Sequence, residues 1–162
     1  MYQDILLIII SFIGLFFGVF LAINSPEEMK PGRKYFYFLE EILLLIIIGL
    51  VASTIKFSLV SGLILLGGIV LGSLLKKEYL YFGLIIFSLF ASSLWIYLIA
   101  LIFLYGLPYG TLIKIHYKHY AWLLIENVAF FFLPAIILIS PLQEIFTLIG
   151  LGGLVGIFIM KN

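Results

Sequence analysis

The chain has no cysteine, a single aspartate (Asp4), two histidines and only five residues with side-chain amides, and 10 per cent of its 162 residues are charged. Without cysteine there are no disulfides, no cysteine-ligated iron–sulfur clusters and no thiol chemistry. One aspartate, at the N-terminal edge, excludes an intramembrane aspartyl dyad. The charge content is under half the roughly 25 per cent of an ordinary soluble domain, too little to cover a water-soluble globule. Scarce Cys, Asn and Gln beside a lysine-heavy cation set follow the thermophile trend and read as an archaeal-like composition.

Apolar residues make up 65 per cent of the chain. They lie in continuous runs of the length a helix needs to cross a hydrocarbon core about 30 Å thick. Lipid offers no partners to backbone N–H and C=O groups, so spanning segments are helices or closed barrels, and these runs lack the alternation of barrel strands. The expected fold class is all-α: a polytopic bundle of six transmembrane helices in one domain, in the cell membrane. The expected spans are 4–24, 35–57, 58–75, 79–106, 119–140 and 141–160. The breaks are read from "NSPEEMKPGRK", from "TIKFS", from "KKE", from "GLPYG" with "KIHYKHY", and from Ser140-Pro141, where a proline can open a helix without losing a needed donor. The first run lacks a basic flank and reads as a span, not a cleaved signal.

"LILLGGIV" at 63–70 returns as "LIGLGGLV" at 148–155, matching at six of eight positions. With the chain shifted by 85, Tyr35 falls on Tyr120, Leu39 on Leu124, Glu41 on Glu126 and Lys76 on Lys161, with ten identities over the 45 positions from Arg33 to Lys77. The repeat units are taken as 4–77 and 89–162. Three spans per unit is an odd number, so the second copy is expected to enter from the opposite face, as an inverted-topology repeat. Loop charges are nearly balanced: Lys30, Arg33, Lys34, Lys76 and Lys77 face Lys56, Lys114, Lys118 and Lys161. The lysine-free N-terminus then favours an outside location.

Inverted repeats are a common construction of secondary transporters, with sites near the midplane. Glu41 and Glu126 are the candidate membrane carboxylates, with Asn127 as a neutral oxygen ligand. Aromatic residues before each place it about 6 to 9 Å inside its own interface at about 1.5 Å per residue. From opposite faces the two would differ in depth by about 12 to 18 Å, which suits two separate sites. Against this stands a structural reading, in which each Glu pairs with a loop cation or reaches back to water, and Glu40 beside Glu41 favours it. Gly67, Gly68, Gly72, Gly152, Gly153 and Gly156 are spaced for close helix approach. Pro134 aligns with Gly49 and marks a weakened helix in both copies.

His116 and His119, three apart, would share a helix face and form a pH-sensing or metal site, although two histidines make an incomplete zinc site. With Lys114, Lys118 and flanking aromatics the segment also reads as a headgroup-facing stretch. No catalytic constellation, cofactor motif or nucleic-acid surface is present. The expectation is a compact secondary transporter or channel for a small ion or solute, not an enzyme. Its size points to a homo-oligomer or a partner membrane subunit. The alternatives are a non-transporting assembly subunit or the substrate-binding membrane subunit of a larger transporter. A pathway would turn Ser53, Ser58, Ser61, Ser92 and Ser93 with the carboxylates to one cavity. A scaffold would satisfy each serine locally.

Overall fold

A computed structural model describes residues 2–56, 58–90, 92–117, 119–135 and 142–161. Among the described residues, seven helices follow in chain order: α1 (Tyr2–Asn24), α2 (Pro26–Ala52), α3 (Leu59–Leu75), α4 (Glu78–Ser88), α5 (Trp95–His116), α6 (Tyr120–Phe132) and α7 (Gln143–Lys161). Among the described residues there is no strand. Segments 6–24, 31–52, 95–116 and 143–161 are long and apolar enough to cross a membrane. Helices α3, α4 and α6 are apolar but shorter, at 17, 11 and 13 residues. The outside is greasy: Leu59 is 81 per cent exposed, and Leu63, Leu66, Val70 and Leu74 continue its face down α3. That surface suits lipid, and the chain is a helical protein whose several long apolar helices are compatible with a multi-pass membrane protein.

Several expected boundaries move. Helix α2 starts at Pro26, so "NSPEEMKPGRK" is largely helical and Pro31 lies inside it. The turn is instead at Asn24 and Ser25, where Asn24 Nδ2 donates to Phe20 O at 2.8 Å and Ser25 N to Leu21 O at 3.0 Å. "GLPYG" also stays helical, because α5 continues through Pro108 to His116. The expected fourth span is two helices, α4 and α5. The break falls after Ser88, where turn bonds run from Ser92 N to Leu89 O and from Trp95 N to Ser92 O. Serines compete locally for backbone partners and favour such turns. At "TIKFS", Ser58 is extended (φ −134°, ψ 168°) and its Oγ accepts from Ser61 N at 3.1 Å, capping α3. At its other end, Lys76 takes the left-handed conformation (φ 48°) and its N–H bonds Gly72 O. The expected helix start at Ser140-Pro141 lies outside the described residues.

The chain divides into two compact units. Unit 1 is Met1–Leu45 with Ile96–Glu126, and unit 2 is Ile46–Trp95 with Asn127–Asn162. Each unit draws on both halves of the sequence, and α2 and α6 are both divided between them.

In unit 2, α3 and α7 meet through glycine. A Cβ added at Gly152 would strike Leu65 O, and one at Gly156 would strike Ile69 O. On the facing side, Gly68 lies against Ile149 O and Gly72 against the Gly153 backbone. One turn forward on α3 corresponds to one turn forward on α7, so the two helices are parallel. Helix α4 is antiparallel to α7. Its start is joined to the end of α7 by Lys161 Nζ to Glu78 Oε1 at 2.9 Å, Tyr81 packs on Gly153, and its end meets Thr147 through Ser88. In unit 1, α1 and α5 form a second parallel pair. A Cβ at Gly14 would strike Phe103 O, one at Gly18 would strike Leu107 O, and one at Gly110 would strike Leu15 O.

This corrects the expected inversion. Helices α3 and α7 carry the matching glycine motifs, and inverted copies would run them in opposite directions. The difference traces to the break after Ser88: with α4 separate, one more helix lies between the two Gly-Gly segments than expected.

Candidate functional site

The sequence candidates are placed as follows. Glu41 on α2 and Glu126 on α6 are half-buried in unit 1, and Asn127 is buried in unit 2. Gly68, Gly72, Gly152, Gly153 and Gly156 are buried in the helix contacts described above. Gly49 and Gly67 face open space, where a Cβ would meet nothing within 4 Å. Pro134 is buried in a tight turn just after α6, beside Gly83, so it ends that helix and does not kink its middle. His116 is the last residue of α5 and His119 lies in the turn beyond it, so they do not share a helix face.

The buried carboxylate of the α2 pair is Glu40, at 4 per cent exposure. Tyr105 on α5, itself fully buried, donates its hydroxyl to Glu40 Oε1 at 3.0 Å and stacks on Tyr109 with centroids 5.6 Å apart. Pro108 lies one turn on. It has no N–H to give the Leu104 carbonyl, so that acceptor has lost its helical partner. On the same helix, Thr111 Oγ1 lies within hydrogen-bond reach of Gly18 O (3.0 Å) and Leu107 O (2.9 Å), tying α5 to α1. Nearer the end of α5, His116 Nδ1 is 2.8 Å from Leu112 O, so that nitrogen is the donor. Neutral His116 then accepts from Tyr37 Oη at 3.1 Å through Nε2, and Tyr37 Oη accepts from Arg33 at 3.3 Å. Both His116 and Tyr37 are exposed, and they bridge α5 to α2 at the rim of unit 1.

No known family model matches the chain, and neither a characterised protein nor a solved structure matches it. Function is therefore argued from the geometry alone.

The serines expected at a common cavity are mostly satisfied close to home. Ser53 Oγ donates to Leu50 O at 2.7 Å, and Ser58 and Ser61 bond each other at 2.7 Å. Ser93 is exposed, and Ser92 Oγ is buried without a hydrogen-bond partner. Polar groups do converge elsewhere. In unit 2 a cleft of about 380 Å³ is lined by Thr54, Lys56, Ser88, Gln143, Glu144 and Thr147 with Ile55 and Leu89. No periodic pattern marks it in the sequence, because its residues come from a loop, a helix end and a helix start.

Proposed function

We propose that the chain is a compact membrane transporter or channel for a small cation, proton or solute, built from two parallel three-helix repeats, α1–α3 and α5–α7, joined by α4. Transporters use parallel repeats as well as inverted ones, so the change of symmetry leaves this reading standing. Two matching features support the repeat. "GLFFG" at 14–18 and "GLPYG" at 106–110 line the α1–α5 pair, and the two Gly-Gly segments line the α3–α7 pair.

The observation on which the function rests is buried Glu40. A carboxylate among apolar membrane helices is costly to keep and marks an ion or proton path by default. Tyr105 brings a hydroxyl to Glu40 from α5, and Glu41 and Glu126 of the same unit are additional candidate ligands. The test uses vesicles of purified protein loaded with a pH-sensitive dye, under an imposed potassium or sodium gradient. Wild type should pass protons or cations well above empty vesicles, and Glu40→Gln should cut that flux at least tenfold. Flux equal to empty vesicles, or unchanged in the variant, would sink the proposal.

A second reading, a non-transporting subunit of a membrane complex, is favoured by the local satisfaction of Ser53, Ser58 and Ser61. It predicts inert vesicles and recovery from native membranes at fixed stoichiometry with another chain.

A further inference from the structure

We infer that the cleft in unit 2 is a binding site for a small zwitterion, a molecule with an anionic group and a primary ammonium a few bonds apart. The site lies wholly inside unit 2 and does not depend on the transport reading. Its volume of about 380 Å³ falls in the range of small-ligand pockets, roughly 300 to 1,000 Å³.

The lining carries both charges. Lys56 lies in the loop before α3, and the first turn of α7 begins at Gln143. An ammonium and the free N–H groups of a helix start both favour a negative group. Glu144 supplies the opposite charge on the same rim. The hydroxyls add to its side. Ser88 Oγ lies 3.1 Å from Ile85 O, and Thr147 Oγ1 lies 2.8 Å from Ser88 Oγ and 3.0 Å from Gln143 O. Two hydroxyl protons serve three acceptors inside the protein, so these hydroxyls have lone pairs left to offer and no protons. A wall that accepts only, next to a carboxylate, suits an ammonium donor.

A purely anionic ligand would face Glu144, and a purely cationic one would face Lys56. A ligand with both charges satisfies both residues. The same chemistry is presented by free amino acids and by the headgroup of an ethanolamine phospholipid.

The experiment measures calorimetric binding of O-phosphoethanolamine and of β-alanine to the full chain in nanodiscs of phosphatidylglycerol. Inorganic phosphate and ethanolamine, each alone, are the single-charge comparisons. At least one zwitterion should bind saturably and at least tenfold more tightly than either single-charge probe. Lys56→Gln and Glu144→Gln should each weaken it at least tenfold. Both residues are exposed, so thermal unfolding should stay at the wild-type value and separate lost binding from lost folding. Repeating the titration in nanodiscs containing phosphatidylethanolamine identifies the source. Competition there supports the site as a headgroup site, and undiminished binding supports it as a site for a free solute. Failure of both zwitterions to bind, binding no tighter than the single-charge probes, or wild-type affinity in both variants would overturn the inference.

Discussion

The two units use one packing device for different ends. Each is held by a parallel helix pair notched with glycine, where backbone meets backbone and no side chain intervenes. In unit 1 the polar groups lie within and along the pair: Thr111 reaches across to Gly18 O, and Tyr105 holds Glu40 in the interior. In unit 2 the pair is closed off by antiparallel α4, whose Tyr81 covers Gly153, and the polar groups gather at one end in the cleft. Close packing alone therefore does not set where polarity goes. The third element does: an aromatic helix such as α4 seals the interface, whereas α2 brings a carboxylate to it.

The largest effect would come from testing the parallel pairing itself, since the outcome is all or none. Single cysteines at Lys77 and Asn162, just past α3 and α7, are uncomplicated to place in a chain without cysteine. Both should react with an impermeant thiol reagent from the same side of oriented vesicles. Labelling from opposite sides would end the parallel reading. Next in size are the notches. Gly153→Val would drive into the Tyr81 ring, and Gly18→Val into the Leu107 carbonyl. Overpacking costs about 1 to 3 kcal/mol, with the larger loss where backbone is the obstacle, as at Gly18. Gly67→Ala, only one residue from Gly68, should be neutral or stabilise by about 0.5 to 1 kcal/mol, the usual helical preference for alanine. Thermal unfolding in detergent measures all three, and equal losses at Gly67 and Gly153 would break the comparison.

The interior carboxylate of unit 1 should respond less strongly. Tyr105→Phe removes a donor from a buried oxygen, which costs about 1 to 3 kcal/mol. The same removal of a hydroxyl in unit 2, Thr147→Val, takes a donor from the neutral Ser88 hydroxyl and should cost less than one taken from a carboxylate. If the two losses were equal, the contrast between the carboxylate of unit 1 and the hydroxyls of unit 2 would fail.

How much of this was legible in the sequence depends on the kind of signal. Helical content followed from long apolar runs, and the glycine spacing was read as close helix approach, although Gly67 faces open space; Ser58 was read as the start of a span and a pathway hydroxyl, not as the cap of α3. Pro31 and Pro108 misled, because proline is a turn signal in water but is tolerated inside helices whose neighbours reabsorb the freed carbonyl. The decisive break, after Ser88, has neither proline, glycine nor charge to mark it. Missing it changed the count of helices between the two Gly-Gly segments, and with it the expected direction of α7 relative to α3. The choice of Glu41 over Glu40 came from the repeat alignment. Helical phase would have chosen differently: Glu40 is in step with Leu44, Ile47 and Val51, each fully buried. The second glycine pair was readable too, since "GLFFG" and "GLPYG" share the pattern Gly-Leu-x-x-Gly.

The smallest effect belongs to the ion pair that joins α4 to α7. Glu78 sits in the first turn of α4, where the helix N-terminus already favours a negative charge. Its side chain is 6 per cent exposed, while that of its partner Lys161 is 30 per cent exposed. Solvent screens the lysine end, so the coupling between the two should be about 1 kcal/mol at most. The singles should differ, however. Lys161→Met leaves a buried carboxylate short of its cation, whereas Glu78→Gln leaves only a partly exposed ammonium that water can serve. The lysine variant should therefore be the less stable, and the double variant should return close to Glu78→Gln. If Glu78→Gln were the worse of the two, the carboxylate would owe its place to the α4 helix start and its other neighbours, and the antiparallel closure of unit 2 would rest on the packing of Tyr81 and Ile85 against the α7 glycines and on Thr147.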